Sequence, residues 1–195
     1  MAPIAATSPP PSEQRLMTAE EFWDFGLLEE NQDRDFELIR GEVIELSRPN
    51  FLHGRACCQV TFVLESWNEA HGRGDVISND SGVILEYDPD SVVGPDVAYY
   101  ELEEAPKKWS DTPPILAVEV LLPNDRKGHV ATKVKLYLDS GTKVVWVVDP
   151  EKQTAVVHRP RLKPETILAS GELEGGVELP GFRTSVSAFF PKSKP

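Results

Sequence analysis

Residues 113–150 read PPILAVEVLLPNDRKGHVATKVKLYLDSGTKVVWVVDP, and this stretch decides the fold. It opens with an apolar run that carries a single carboxylate, Glu119, and closes with a second apolar run before Asp149. The residues between them predict a helix over roughly 128–140 that ends at Gly141. Two buried strands joined by a helix form a crossover unit. The stretch therefore predicts a mixed sheet in an α/β domain.

The residues before this stretch predict a helix, a hairpin and a longer helix. Thr18 with Glu21 three positions later forms a capping box, which marks a helix start. The segments FELIR and EVIEL meet at Gly41 and alternate like two antiparallel strands. From His53 onward, apolar residues recur every three or four positions and predict a helix that ends near Gly72.

Several shorter strands are also expected. The segments DVIS and GVILEY predict a second strand pair around residues 79–80, and residues 96–100 add another strand. After the crossover unit, TAVVHR, TILA and VEL predict weaker strands, and residues 186–190 are expected to close the core. Strands that dominate the chain, with one helix packed early and one crossing over, favour a central mixed sheet flanked by helices.

Length and composition predict one soluble domain. The 195 residues suffice for a core without covalent staples, and the Pro/Ala/Ser-rich start predicts a disordered tail over residues 1–15 before one domain over 16–191. The adjacent Cys57 and Cys58 give neither metal-ligand spacing nor a disulfide framework, which is typical of a reducing, cytoplasmic compartment. The sequence contains no membrane-spanning stretch and no signal-peptide pattern.

The charge of the chain argues against a general nucleic-acid binder. The formal net charge is -12, whereas contacts to phosphates require Lys and Arg. The objection is weakened by uneven charge, because Arg126, Lys127, Lys133 and Lys135 fall within ten positions. Carboxylates that hold a metal would also add to the negative count.

Three side chains form a candidate catalytic set. Alternation along the strand places Glu119 on an apolar face, where a carboxylate costs free energy unless it is paired or metal-bound. Asp96 follows Pro95 at a predicted strand start, and Lys133 lies on the crossover helix. Taken one at a time, Glu119 is typical of a salt-bridged strand glutamate, Asp96 of a turn aspartate and Lys133 of a solvated helix lysine. Together at one sheet end, they would suit Mg²⁺-dependent phosphodiester cleavage.

The ordered motifs of the chain resemble one known family. The segments MTAEEF, FELIRGEVIEL, GPDVAYY, LAVEVLLPN, KVKLY, VVWVVDP and LPGF, with a histidine before the first long helix, resemble the Uma2 (DUF820) family of restriction-endonuclease-like proteins. This family is a branch of the PD-(D/E)XK nuclease superfamily. The resemblance implies a restriction-endonuclease-like core with an N-terminal β-hairpin. It also implies Asp96 and Glu119 as metal ligands and Lys133 as the superfamily lysine.

Other positions depart from the family pattern. Leu121 stands where the superfamily's usual lysine would lie two residues after the glutamate, and Leu122 replaces a serine. His129 replaces an aspartate, and residues 92–94 lack a frequent arginine. These changes alter the surroundings of the metal ligands, and such changes can reduce activity strongly. A degenerate nuclease therefore stays open as an alternative.

Glu37 and His53 are further candidates. The resemblance suggests that Glu37 points to the metal site as an additional acidic residue. The alternative is a solvated strand glutamate without a functional role. His53 near a helix start could contact a phosphate or act as a base, or it could simply cap or pack. The remaining histidines, His129 among them, are given no role.

The sequence thus predicts a Mg²⁺-dependent endonuclease, with Mn²⁺ as a possible substitute, that acts on double-stranded DNA. A homodimer would suit cleavage of two antiparallel strands. One alternative is a non-catalytic binding or regulatory module, and another is a hydrolase of a different phosphorylated substrate. A basic strip along the cleft would favour the nuclease, whereas an acidic rim would favour the other hydrolase. Lys133, not Lys135, is expected to face the carboxylates.

Overall fold

The computed structural model describes residues 15–71, 73–123, 125 and 127–190. Most of the predicted tail lies outside the described residues. The α-helices are α1 (Ala19–Gly26), α2 (Phe51–His71) and α3 (Lys127–Ser140), and short 3-10 helices cover Glu29–Asn31 and Val186–Phe189. None of the helices in the described part of the chain has the length and apolar character needed to cross a bilayer.

The strands form three sheets. They are β1 (Phe36–Ile39), β2 (Glu42–Glu45), β3 (Asp75–Ser78), β4 (Val83–Glu86), β5 (Ser91–Val93), β6 (Val97–Tyr100), β7 (Leu116–Val120), β8 (Val144–Asp149), β9 (Thr154–His158), β10 (Glu165–Leu168), β11 (Glu172–Glu174) and β12 (Arg183–Ser185). The central sheet has the order β10-β9-β8-β7-β6-β3, the second sheet has the order β2-β1-β5-β4, and β11 pairs with β12.

The predicted crossover unit is confirmed. Strands β7 and β8 are parallel, with Glu119 opposite Val147, and α3 connects them. The other pairs of the central sheet are antiparallel, so the sheet is mixed. The α/β class with a mixed sheet flanked by helices is therefore confirmed. The capping box at Thr18 and the hairpin of β1 and β2 are also confirmed.

The predicted pairing of DVIS with GVILEY is wrong. These segments form β3 and β4, which belong to different sheets, because β3 pairs with β6 and β4 pairs with β5. The loop between them packs its backbone against Gly94, where an added Cβ would lie 2.4 Å from the carbonyl oxygen of Asp80. Residues 79–80 therefore carry the chain from one sheet to the other and do not close a hairpin.

The prediction for the late segment VEL is also wrong. Strand β11 covers Glu172–Glu174 instead, and residues 177–179 lie in a turn in which the Leu179 N–H donates to the carbonyl of Gly175. The apolar side chain of Leu179 is buried in the core although its backbone is not in a strand. Burial there is set by tertiary packing, which a three-residue pattern cannot reveal.

The second sheet brings residues close to the start of β6 in the central sheet. Strand β1 pairs with β5, and β5 ends only three residues before β6 begins. Those three residues, Gly94, Pro95 and Asp96, join the two sheets. Glu37 on β1 is consequently brought close to the start of β6 and to α3.

Candidate active site

Lys133 is the centre of a buried ionic cluster. Its Nζ lies 2.7 Å from Glu37 Oε1 and 2.7 Å from Glu119 Oε2, and it donates a hydrogen bond of 3.0 Å to the carbonyl of Gly94. Only 8% of its side chain is exposed. Burial alone would lower the pKa of Lys133, but Glu119, Glu37 and Asp96 outweigh it and raise the pKa. The ammonium group therefore stays charged.

Both carboxylate oxygens of Glu119 have partners on α3, Lys133 and Tyr137. Glu119 lies on β7, on the face that packs against α3, and its Oε1 accepts a hydrogen bond of 2.9 Å from the Tyr137 hydroxyl. Burial raises the pKa of Glu119 above its ordinary value, and although Lys133 opposes this effect, Asp96 and Glu37 reinforce it. The charge of Glu119 is thus incompletely compensated by the protein alone.

Glu37 is the most deeply buried carboxylate of the cluster. It is 1% exposed, its Oε2 lies 3.1 Å from His129 Nε2, and its Oε1 accepts a hydrogen bond of 3.3 Å from the Gly94 N–H. Burial would raise the pKa of Glu37, but Lys133 and His129 together hold it below its ordinary value. Glu37 therefore stays ionised and anchors Lys133.

Asp96 has a separate set of partners. Its Oδ2 accepts a hydrogen bond of 2.6 Å from the Val120 N–H, which ties the start of β6 to the end of β7. Its Oδ1 lies 3.0 Å from His53 Nε2, and both side chains are about nine-tenths buried. Burial would lower the pKa of His53, but Asp96 outweighs it and raises the pKa. The Asn50 side chain accepts the His53 backbone N–H and fixes this end of α2.

A cavity of about 90 Å³ lies between these groups. It is lined by Asp35, Leu46, Ser47, Pro49, His53, Asp80, Asp96, Glu119, Val120, Leu122, Asp125, His129, Val130 and Lys133. Five of these fourteen residues are carboxylates, whereas one lysine and two histidines are the basic groups. Burial and the nearby Asp96 raise the pKa of Asp80 to about 6. Among the described residues of the lining, carboxylates therefore outnumber basic groups.

A larger apolar groove of about 770 Å³ borders this cavity and shares Leu122, Asp125 and Val130 with it. Aliphatic side chains of α3, β8 and β9 form much of its wall. Although this groove is larger, the buried carboxylates and Lys133 converge on the smaller cavity. The smaller cavity is therefore the candidate site.

The structure brings together all five residues that the sequence indicated. The cavity lining includes Asp96, Glu119, Lys133 and His53. Glu37 pairs with Lys133 but is not one of the lining residues. Lys135 is exposed and pairs with Asp139 on the surface of α3. Of the four basic residues that fall within ten positions of the sequence, Lys133 is buried and Lys135 is exposed, so these two do not share a surface. The catalytic roles of the five stay predictions.

The sequence interpretation missed several residues at this site. His129 was given no role, yet it contacts Glu37 and lines the cavity. His129, Lys133 and Tyr137 are each four positions apart on α3, so helical spacing alone places them on one face. Asp80 joins the site only through folding, since no local spacing connects it with Asp96.

The chain is similar to a known protein family and to a solved structure. The model of the Uma2 family, described as "putative restriction endonuclease", matches residues 20–187. A crystal structure described as that of "a putative nuclease belonging to DUF820" from Anabaena variabilis superimposes with a TM-score of 0.76 at 20% identity. The match covers 89% of this chain and 97% of that chain, and it shows a common fold. The comparison with curated proteins gives no match. Because the family model spans most of the sequence, the chain belongs to the Uma2 family.

Proposed function

We propose that this protein is a metal-dependent endonuclease that hydrolyses phosphodiester bonds of DNA. The observation that carries the proposal is the convergence of Asp96, Glu119 and Lys133 on one cavity in a chain of the Uma2 family. The description of the family as a restriction endonuclease and of the Anabaena variabilis protein as a nuclease agrees with this chemistry. Residues 16–191 would form the single endonuclease domain.

The donor set fits a divalent cation. The described lining residues include more carboxylates than basic groups, and burial, reinforced by Asp96 and Glu37, raises the pKa of Glu119 although Lys133 opposes it. Carboxylate oxygens are the protein ligands that Mg²⁺ and Mn²⁺ prefer. Asp96 and Glu119 would hold the metal, and Mg²⁺ would activate water and stabilise negative charge on the phosphate.

The surrounding residues prepare the site for this chemistry. Glu37 and His129 hold Lys133 in place, so its ammonium group is a fixed positive charge close to the cavity. Such a charge would stabilise the additional negative charge of a phosphodiester under attack. His53 fixes the orientation of the Asp96 carboxylate. Lys133 would therefore act directly on the phosphate, whereas Glu37 and His129 are positioning residues.

One observation favours a hydrolase of another phosphorylated substrate. Asp35, Asp80 and Asp125 belong to the cavity lining, and Lys133 is the one Lys or Arg residue among the described lining residues. An acidic rim repels the DNA backbone unless metal ions offset its charge. A small phosphodiester would encounter less of this repulsion than a duplex.

Another observation favours a binding module without turnover. Each oxygen of Asp96 and of Glu119 already has a partner within the protein. A site that satisfies its own carboxylates can persist without a metal. A metal would have to replace the His53 or Lys133 contact on these oxygens.

A cleavage assay distinguishes these functions. Purified protein is incubated with duplex DNA, RNA and a simple chromogenic phosphodiester, each with Mg²⁺, Mn²⁺ or chelator. The proposal expects metal-dependent cleavage of DNA that Asp96→Ala and Glu119→Gln abolish and that Lys135→Ala retains. Cleavage of the small diester alone would establish the other hydrolase. No cleavage of any substrate by folded protein, with or without bound metal, would favour the binding module.

We also propose that a homodimer cuts duplex DNA, because two-fold related sites match the antiparallel strands. Analytical ultracentrifugation with and without a short duplex tests this assembly. A monomer in both conditions that still makes double-strand breaks would contradict it.

A further inference from the structure

A second group of potential ligands lies on the α2 side of the cavity. His53 and Cys57 are four positions apart on α2, so they share a face, and Asp96 approaches them from the start of β6. His53 Nε2 lies 3.0 Å from Asp96 Oδ1 and 3.9 Å from Cys57 Sγ. One ligand atom from each of the three residues lies within 4.8 Å of the other two.

We propose that His53, Cys57 and Asp96 bind Zn²⁺, with a fourth position open to water. Zinc takes imidazole nitrogen, thiolate sulfur and carboxylate oxygen in tetrahedral geometry, at about 2.0–2.3 Å. Those bond lengths place neighbouring ligand atoms about 3.3–3.8 Å apart in a tetrahedron. The separations of 3.0 Å and 3.9 Å from His53 Nε2 are within a few tenths of an ångström of that range, and the Asp96 and Cys57 ligand atoms lie within 4.8 Å of each other. Side-chain shifts that bring Asp96 and Cys57 to tetrahedral separation would complete the site.

The chemistry of the ligands separates this site from the proposed magnesium site. Mg²⁺ binds oxygen ligands and usually keeps several waters, so it gains little from a thiol or an imidazole. Zn²⁺ favours both of these ligands. When the metal binds, the Cys57 thiol gives its proton to solvent and coordinates as thiolate. The two metals therefore select different partners for Asp96.

Both sites would require the same oxygen of Asp96. Oδ2 is occupied by the Val120 N–H at 2.6 Å, which leaves Oδ1, the atom that faces His53. Zinc bound to His53, Cys57 and Asp96 would therefore withhold Asp96 from magnesium. Inhibition of cleavage by zinc rests on the proposed function, whereas zinc binding itself does not.

Cobalt tests the site without reference to activity. Co²⁺ occupies zinc sites, and a Co²⁺–thiolate bond gives an intense near-ultraviolet charge-transfer absorption. Metal-free wild-type protein is titrated with Co²⁺ beside Cys57→Ala, Cys57→Ser and the matched control Cys58→Ala, whose cysteine is exposed on the next position of α2. The proposal expects the absorption band in wild type and Cys58→Ala, and its loss in both Cys57 variants. Circular dichroism verifies that each variant is folded.

Zinc affinity provides the second measurement. Competition with a chromogenic chelator should show that Cys57→Ser weakens Zn²⁺ binding more than about 100-fold, beyond the 10–100-fold that an outer-shell partner contributes. Cys58→Ala should bind like wild type. A wild-type protein without the cobalt–thiolate band, or folded Cys57 variants that keep it, would overturn the proposal. If the band appears but no substrate is cleaved, the zinc site stands and the nuclease proposal fails.

Discussion

The two faces of the central sheet bury different kinds of residues. The face under α2 is apolar and aromatic: the Trp146 ring lies 5.3 Å from that of Phe182 and 6.1 Å from that of Phe189, centroid to centroid. The face under α3 combines aliphatic packing with the buried charges of Glu119 and Lys133. Both faces are dehydrated, and burial of the charges under α3, like burial of the His53–Asp96 pair beside α2, opposes folding.

This difference indicates that the residues that stabilise the fold and the residues of the candidate site lie mainly on different faces of the sheet. Each fully buried large apolar side chain under α2 stabilises the fold by about 1.5–3 kcal/mol. A buried ion pair contributes little net stability, although breaking it by removal of one partner is costly. We infer that apolar packing on the α2 face contributes most of the stability of the fold, whereas the buried charges on the α3 face serve the candidate site.

The largest expected effect is that of Lys133→Ala. Because Glu37 and Glu119 would lose their shared cation inside the protein, the free energy of unfolding should fall by about 3–5 kcal/mol. Lys135→Ala is the matched control on the same helix, and loss of its exposed pair with Asp139 should change stability by at most about 0.5 kcal/mol. Urea denaturation measures both. Equal decreases in unfolding free energy for the two variants would contradict the expectation that the buried lysine matters more for stability than the exposed one.

Leu64→Ala probes the apolar face. Leu64 of α2 is fully buried, and its truncation should cost about 2–5 kcal/mol of unfolding free energy. Cleavage per folded molecule should be unchanged, because Leu64 does not line the cavity. Leu168→Ala, at an exposed position, should lie within about 0.5 kcal/mol of wild type. A Leu64→Ala protein that is stable but inactive would contradict the separation of roles.

Asp96→Asn should have a small effect on the metal-free protein. An asparagine oxygen can still accept the Val120 N–H, so stability in chelator should stay within about 1 kcal/mol of wild type. The stabilisation by Mg²⁺, about 2.7 kcal/mol at 100 times Kd in wild type, should be lost in the variant. Thermal melts with chelator and with Mg²⁺ give both values. A substantial loss in chelator would make Asp96 a structural partner and favour the binding module.

Asp80 should produce the smallest effect, and it depends on pH. Its pKa is raised to about 6 in the folded protein, so the folded state keeps this proton to higher pH than the unfolded state. Stability should therefore fall as pH rises from about 4 to 6, and Asp80→Asn should remove part of that fall. Asparagine tolerates the left-handed backbone at this position, where φ is 52°.

Melting temperatures in chelator across pH 4–6 test this prediction. Asp111→Asn, which changes an exposed aspartate outside the cavity lining, is the control. If Asp80→Asn and Asp111→Asn follow the same pH dependence as wild type, Asp80 does not couple to the site.

The sequence could predict the crossover unit because its signals are local. Strand alternation placed Glu119 on one face, and helical spacing separated Lys133 from Lys135. The same spacing would have found His129, four positions before Lys133. The pairing of β3 with β6 and the approach of Asp80 to Asp96 depend on contacts between distant segments. Periodicity carries no information about such contacts, so Asp80 was not predicted at the site although His53 of α2 was.

The central claim is that Asp96 and Glu119 share a metal ion beside Lys133. Diffraction from crystals grown with Mn²⁺, at a wavelength where manganese scatters anomalously, tests this claim directly. We expect an anomalous peak in the cavity within about 2.0–2.6 Å of one oxygen from each carboxylate. In Asp96→Asn crystals this peak should disappear. A wild-type cavity without a peak, in crystals whose Mn²⁺ binds elsewhere, would rule out a metal ion shared by Asp96 and Glu119.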